Sequence, residues 1–173
     1  MVELIHFDVN EHKEDFLLLN YETNKWHFDQ FIENYQIDPQ QIVGKTPMEM
    51  AEGNLETYRD MKPSKGIFYL AYVDGEVAGM GAVRKIDDSL GEIKRMWNRP
   101  QFRGKGLGRT IVSSLLEKGK ELDCSWFGLN TPKFAVAAHR LYESVGFEFV
   151  DFIPEVDIGE TFRPYYLFME KKL

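Results

Sequence analysis

The chain has 173 residues, of which 43% are apolar and 14% aromatic, enough to build one core and fold as a single domain. A net charge of −7 argues against general nucleic-acid binding, and one cysteine with four scattered histidines supplies neither a disulfide nor a metal set. No apolar run reaches the roughly 18 residues of a membrane span. The opening Met-Val-Glu-Leu-Ile-His-Phe-Asp has no basic-then-apolar export signal, which predicts a cytoplasmic protein without metal, membrane or nucleic-acid partner.

In chain order, residues 3–8 read as a short strand. From Glu11 to about Tyr35, Phe16, Leu17, Leu19, Trp26, Phe28 and Phe31 are mixed with acids at a spacing nearer helix than strand, predicting one or two helices. A further helix is expected from Pro47 to about Met61, capped by Thr46. Beyond Gly66 the texture becomes β: Ile67–Val73 and Val77–Ile86 flank Asp74-Gly75, a strong hairpin signal, and a polar turn leads to a third strand at Glu92–Trp97. Leu107, Ile111, Val112, Leu115, Leu116 and Leu122 recur at helical spacing. Trp126–Asn130 reads as a strand, and Pro132 as the opening of a helix that Gly146 ends. Phe147–Phe152 and Tyr165–Met169 read as the last two strands, the second closing the sheet. The sum is an α/β domain with a mixed central sheet of about six to seven strands flanked by helices. It divides into a helical region (1–65), a core (66–152) and a C-terminal loop and strand (153–173).

The turn between the third strand and the following helix carries the chemistry. Gly104, Gly106 and Gly108 remove side chains where a helix begins, leaving unpaired backbone N–H groups aimed at one spot, and Arg103, Lys105 and Arg109 crowd the same turn. Residues 84–109 hold eight Lys or Arg against three Asp or Glu, locally +5, which leaves the remainder of the chain at −12. A diphosphate fits such a nest. The turn has neither the spacing nor the hydroxyl of a nucleotide-binding P-loop. Cys124, between Leu122 and Trp126, is expected to pack rather than react.

Arg103-Gly104-Lys105-Gly106-Leu107-Gly108 matches the pattern Q/R-x-x-G-x-G/A, and in this setting the chain resembles the GNAT superfamily of N-acetyltransferases. Glu92–Trp97 resembles that family's fourth strand. Leu129-Asn130-Thr131-Pro132, Ala138, Leu141-Tyr142 and Gly146-Phe147 resemble its fifth strand and next helix. The likeness runs from about Ile67 to Phe152. It implies acetyl-CoA as cosubstrate, its pyrophosphate held by the N–H groups of Arg103 to Gly108 with Arg109 adjacent. It also implies a bulge at Met96, Trp97 and Asn98, where a backbone N–H meets the thioester carbonyl. Tyr142 becomes the acid or hydrogen-bond donor for the departing thiolate, and Glu92 the base for the acceptor amine, directly or through water. Where many members carry a pantetheine-binding Asn, Phe134-Ala135-Val136-Ala137 offers no amide, and Thr131 or backbone groups substitute.

The resemblance further makes residues 1–65 a lid over the acceptor, and their 13 acids against 6 bases hint at a cationic one, with Trp26, Arg163 and Tyr165 as pocket candidates. His27 and His139 are weaker candidates for a base, and Asp87 and Asp88 are read first as turn formers. The implied activity is acetyl transfer to the amine of a small molecule or peptide in a ternary complex, by a monomer or homodimer. A catalytically inactive acyl-CoA sensor or interaction module of the same fold is the alternative.

Overall fold

The computed structural model describes residues 1–173. Its elements are β1 (Val2–His6), α1 (Val9–Tyr35), α2 (Pro39–Val43), α3 (Pro47–Tyr58), β2 (Gly66–Val73), β3 (Glu76–Lys85), β4 (Leu90–Asn98), α4 (Leu107–Glu121), β5 (Trp126–Pro132), α5 (Val136–Ser144), β6 (Glu148–Val150) and β7 (Tyr166–Lys172). Seven strands form one sheet in the order β1-β2-β3-β4-β5-β7-β6. Its pairs are antiparallel except β4 with β5. That parallel step is the crossover that α4 spans.

Both faces of the sheet are covered. Ile111, Val112 and Leu115 of α4 pack with Phe127, Leu129 and Met169 on one side, while Phe16 and Leu19 of α1 and Leu55 and Tyr58 of α3 pack on Phe68, Leu70 and Met80 on the other. On the α1 side Phe16 lies 4.5 Å from Phe7 and 4.8 Å from Phe68 between ring centroids, within the separations at which aromatic pairs attract. Central strands buried on both faces read as continuous apolar runs, which is how β2 and β3 stood out in the sequence.

The stretch from Glu11 to Tyr35 lies in one 27-residue helix rather than two. Asp8 caps it, accepting from Asn10 N at 2.8 Å, which is why the first strand stops at His6. Its period is blurred because buried Asn20, Thr23 and Asn24 sit on the core face. Each is satisfied: Thr23 donates to Leu19 O (2.7 Å), Asn24 to Pro47 O (3.1 Å) and Asn20 to Phe16 O (2.9 Å). The turn-length α2 went unpredicted although Asp38-Pro39 supplies its cap and first residue. Thr46 and Glu49 form a reciprocal capping box on α3.

Two further expectations are corrected. Pro132 does not open a helix: it is the last residue of β5, opposite Tyr166 of β7, and α5 begins at Val136. A proline at a strand end forfeits no ladder bond that the strand needs. The C-terminal strand does not close the sheet either, because β7 lies between β5 and β6 and leaves the three-residue β6 as the edge. No helix is long and apolar enough to cross a membrane.

Candidate active site

The site begins with a defect in β4. Met80 faces Trp97 and Ala82 faces Lys94, so Arg95 and Met96 together oppose Gly81. This is a β-bulge, at Arg95 and Met96 rather than at the expected Met96, Trp97 and Asn98, since Trp97 and Asn98 are back in register with β3; Arg95 takes φ 56° within it. Gly81, opposite the bulge, leaves room for side chains, since a Cβ there would lie 2.6 Å from Met96 Sδ and 2.7 Å from Ile111 Cγ2. Beyond it β4 turns away from β5: the two strands pair only over Leu90, Gly91 and Glu92 against Trp126, Phe127 and Gly128. From Ile93 onward the β5-facing edge of β4 is open, and such an edge accepts an extended chain as a further strand. A cleft of about 900 Å³ fills the gap, lined by β4, the glycine turn, the end of β5, α5, and aromatic residues of α1 and the 154–166 loop.

At one end of the cleft lies the glycine turn. Gly104 and Gly106 hold φ 75° and 83°, left-handed values that cost a side-chain-bearing residue about 1–2 kcal/mol. Gly108 serves close approach instead: a Cβ there would meet the Asn98 side-chain amide at 2.7 Å and Leu141 Cδ2 at 2.9 Å. The expected set of amides is corrected at both ends. Arg103 N–H donates to Pro100 O (3.2 Å). With the Asn98 amide oriented by its partners, its oxygen accepts from Gly108 N–H at 3.1 Å and its nitrogen donates to Trp97 O at 3.0 Å. The N–H groups of Gly104, Lys105, Gly106, Leu107 and Arg109 have no protein acceptor. They gather at the positive end of α4.

Arg103 has a second task. Its Nε donates to Asn98 O (2.9 Å) and its guanidinium stacks 4.9 Å above the Trp97 ring, tying the turn to the end of β4. Lys105 is exposed and its side chain does not line the cleft, so its charge acts from outside. Trp97 packs toward α1, its Nε1 donating to Glu22 Oε2 at 3.2 Å, and Arg99 completes the clasp through Nε to Glu22 Oε1 at 3.1 Å.

Tyr142, on the inward face of α5, is 6% exposed and lines the cleft, and its hydroxyl makes no hydrogen bond within the protein. Burial pushes this phenol far above its ordinary range, so it keeps its proton. Glu92 also lines the cleft, 3% exposed, with Oε2 2.9 Å from Arg84 Nη2 and Oε1 3.4 Å from Lys94 Nζ. Burial, with the Arg95 and Arg84 charges, lowers the Lys94 ammonium, while Glu92 opposes. Thr131 is buried at the end of β5 in the cleft wall. Asp87 caps its own turn, accepting from Ser89 N and Leu90 N at 2.7 Å each.

His139 is structural, its Nε2 2.9 Å from Pro132 O. His27 does line the cleft, but burial and the Arg95 charge drop it to about 4, so it is neutral at ordinary pH. Cys124 lies in the α4-side core, away from the cleft. Of the pocket candidates only Trp26 lines the cleft: Arg163 pairs with Asp157, and Tyr165 stacks on Tyr35 at 4.6 Å. None of the carboxylates of residues 1–65 lines the cleft. What the sequence did not reveal is Arg95, whose place depends on the bulge, and an aromatic wall in which Phe134 meets Trp26 and Phe31 at 5.4 Å each.

Sheet order, bulge, splayed strands and glycine turn together are those of a coenzyme A-dependent acyltransferase fold. The chain belongs to the acetyltransferase (GNAT) family, whose profile matches residues 20–147. It is 33% identical over 148 residues to "Uncharacterized N-acetyltransferase YsnE" of Bacillus subtilis (strain 168), covering 76% of this chain and 95% of that protein. It is 40% identical over 88 residues to N-acetylaspartate synthetase of Homo sapiens, covering 50% of this chain but only 29% of the human protein's length. In structure it superposes on the PaiA N-acetyltransferase of Thermoplasma acidophilum, solved in complex with coenzyme A, with a TM-score of 0.72 at 16% identity over 100% of this chain and 99% of that one.

Proposed function

We propose that this protein transfers an acetyl group from acetyl-CoA to the amine of a small molecule or peptide, by direct attack with both bound in one cleft. The observation that carries the reading is the set of free amides at Gly104–Leu107 and Arg109, placed at the mouth of the slot where β4 and β5 part. A helix N-terminus with unpaired N–H groups takes a phosphate, and an open strand edge takes an extended amide arm. Acetyl-CoA has those two parts in that order, and supplies an acyl carbon activated as a thioester.

The protein's own groups then have distinct tasks. The free loop amides, with Arg103 and Arg109, hold the diphosphate. The Met96–Asn98 backbone and the Thr131 end of β5 border the arm, and a β4 N–H stands where charge develops on the carbonyl oxygen. The Tyr142 hydroxyl donates to the sulfur. With its phenol pushed so far up, it acts as a hydrogen-bond donor and retains its proton, because transfer to a thiolate is uphill. Glu92 takes the amine's proton, directly or through water. The other acid lining the cleft, Asp157, is committed to Arg163. Orientation of the two bound reactants supplies most of the rate. A relative named N-acetylaspartate synthetase, matched over half of this chain, supports a small amine as acceptor.

The test is release of free thiol from acetyl-CoA against a panel of amines, with the product identified by mass. Amine-dependent thiol release with a mass gain of one acetyl group is the expected result. Tight acetyl-CoA binding with no product from any amine would instead make the protein a sensor.

A further inference from the structure

Resting on that reading, the structure assigns a recognition group for the acceptor: we infer that Arg95 binds a carboxylate on the amine substrate, so that the acceptor is an amino acid or another amine bearing an acid.

Three observations converge on this residue. In a bulge of this kind the residue with positive φ is ordinarily glycine, yet an arginine is held there at φ 56°. Strain of that sort persists where the side chain it aims is needed. The guanidinium also lacks a carboxylate partner, with the neutral Tyr58 hydroxyl beside it. Arg84, Arg99 and Arg163 each meet a carboxylate, at 2.9, 3.1 and 2.9 Å, whereas Arg95 makes no ion pair; its Nε, like that of Arg84, is buried without a hydrogen-bond acceptor, and in Arg95 no carboxylate holds the rest of the group. A buried donor left open in a cleft marks the place of an absent acceptor.

The third observation is the surroundings. Arg95 lines the cleft at the point where β4 leaves β5, two residues before Trp97. Its charge bears on His27, Tyr58 and Tyr166, all uncharged at neutral pH. The one acid nearby, Glu92, is already shared by Arg84 and Lys94. The cleft floor therefore carries a positive charge with no counter-ion in the protein. An amine substrate that brought only its own positive charge would be repelled there. One that also carries a carboxylate completes the pair in the bidentate geometry a guanidinium favours.

The experiment compares L-phenylalanine, L-methionine and L-aspartate with their α-carboxamides as acceptors, with tyramine as an amine lacking any acid. It uses the wild-type protein and the variants Arg95→Asn, which tolerates positive φ, and Arg95→Lys, which keeps the charge. Carboxamides have the less basic amine and so begin with a larger unprotonated fraction, which makes the comparison stringent. At least one acid should exceed its carboxamide in kcat/KM by about 10- to 100-fold, the worth of a hydrogen bond to a charged group. That preference should vanish in Arg95→Asn and survive in part in Arg95→Lys, with KM for acetyl-CoA unchanged in both. Equal turnover of acid and amide, acetylation of tyramine alone, or a preference that persists in Arg95→Asn overturns the inference and leaves the transferase reading standing. No thiol release with any acceptor overturns both.

Discussion

Tyr142 and Glu92 face the same cleft from different elements, and their chemistry separates cleanly. Tyr142 has no partner inside the protein, so Tyr142→Phe removes a donor without stranding a buried group. We expect kcat to fall roughly 10- to 100-fold, with little change in KM for acetyl-CoA, measured by steady-state thiol release. Glu92→Gln is different, because it leaves Arg84 and Lys94 facing a neutral amide. A loss of about 1–3 kcal/mol in urea-denaturation stability is expected from the broken pairing. The diagnostic reading is the pH profile: if Glu92 removes the amine's proton, the variant's deficit shrinks at alkaline pH, where the amine is already free. A purely structural glutamate would lower activity equally at every pH.

At the scale of elements, the turn from β4 into α4 is held by two kinds of glycine that fail in different ways. A Cβ on residue 106 meets nothing within 4 Å, so the cost of Gly106→Ala is backbone strain alone. The expected result is a loop that shifts its amides, with acetyl-CoA affinity falling about tenfold by calorimetry, the equivalent of about 1.4 kcal/mol. Gly108→Ala instead drives a methyl into Asn98 and Leu141. It should lower global stability by roughly 1–3 kcal/mol, as overpacking does. Finding the same phenotype for both variants would contradict this division of labour between conformation and contact.

At the scale of the whole molecule, the titration of His27 couples folding to the cleft. His27 is held at about 4 in the folded protein, against about 6.5 in an unfolded chain. Between those values the unfolded chain binds a proton that the folded one refuses, so stability is full above pH 6.5 and declines as pH falls toward 4. The loss reaches at most about 3 kcal/mol for a shift of this size. Urea midpoints at pH 7 and pH 5 should therefore differ in the wild type, and the difference should shrink in His27→Leu, which cannot take up the proton. A variant whose pH dependence matches the wild type would place the cause in other groups.

What the sequence determined by itself was local. The strand, glycine turn and helix from Glu92 to Leu122 are written in residues within a few positions of one another, because positive φ, missing side chains and an α-helical apolar stripe are properties of short segments. Hence the glycine turn and the place of Tyr142 on its helix were legible, and so was the sheet's β2–β3 hairpin. Tertiary structure alone decided the rest. Whether Pro132 ends a strand or starts a helix depends on β7 arriving beside it, and whether Arg95 lies in a bulge depends on the register of β3. The long α1 was ambiguous because its core face buries Asn20, Thr23 and Asn24, whose bonds to main-chain oxygens do not show in a hydropathy pattern. The cleft joins α1, β4, α5 and the 154–166 loop, segments drawn from a stretch of chain more than a hundred residues long. No local rule reports which of their side chains meet, or which charge among them is left without a partner.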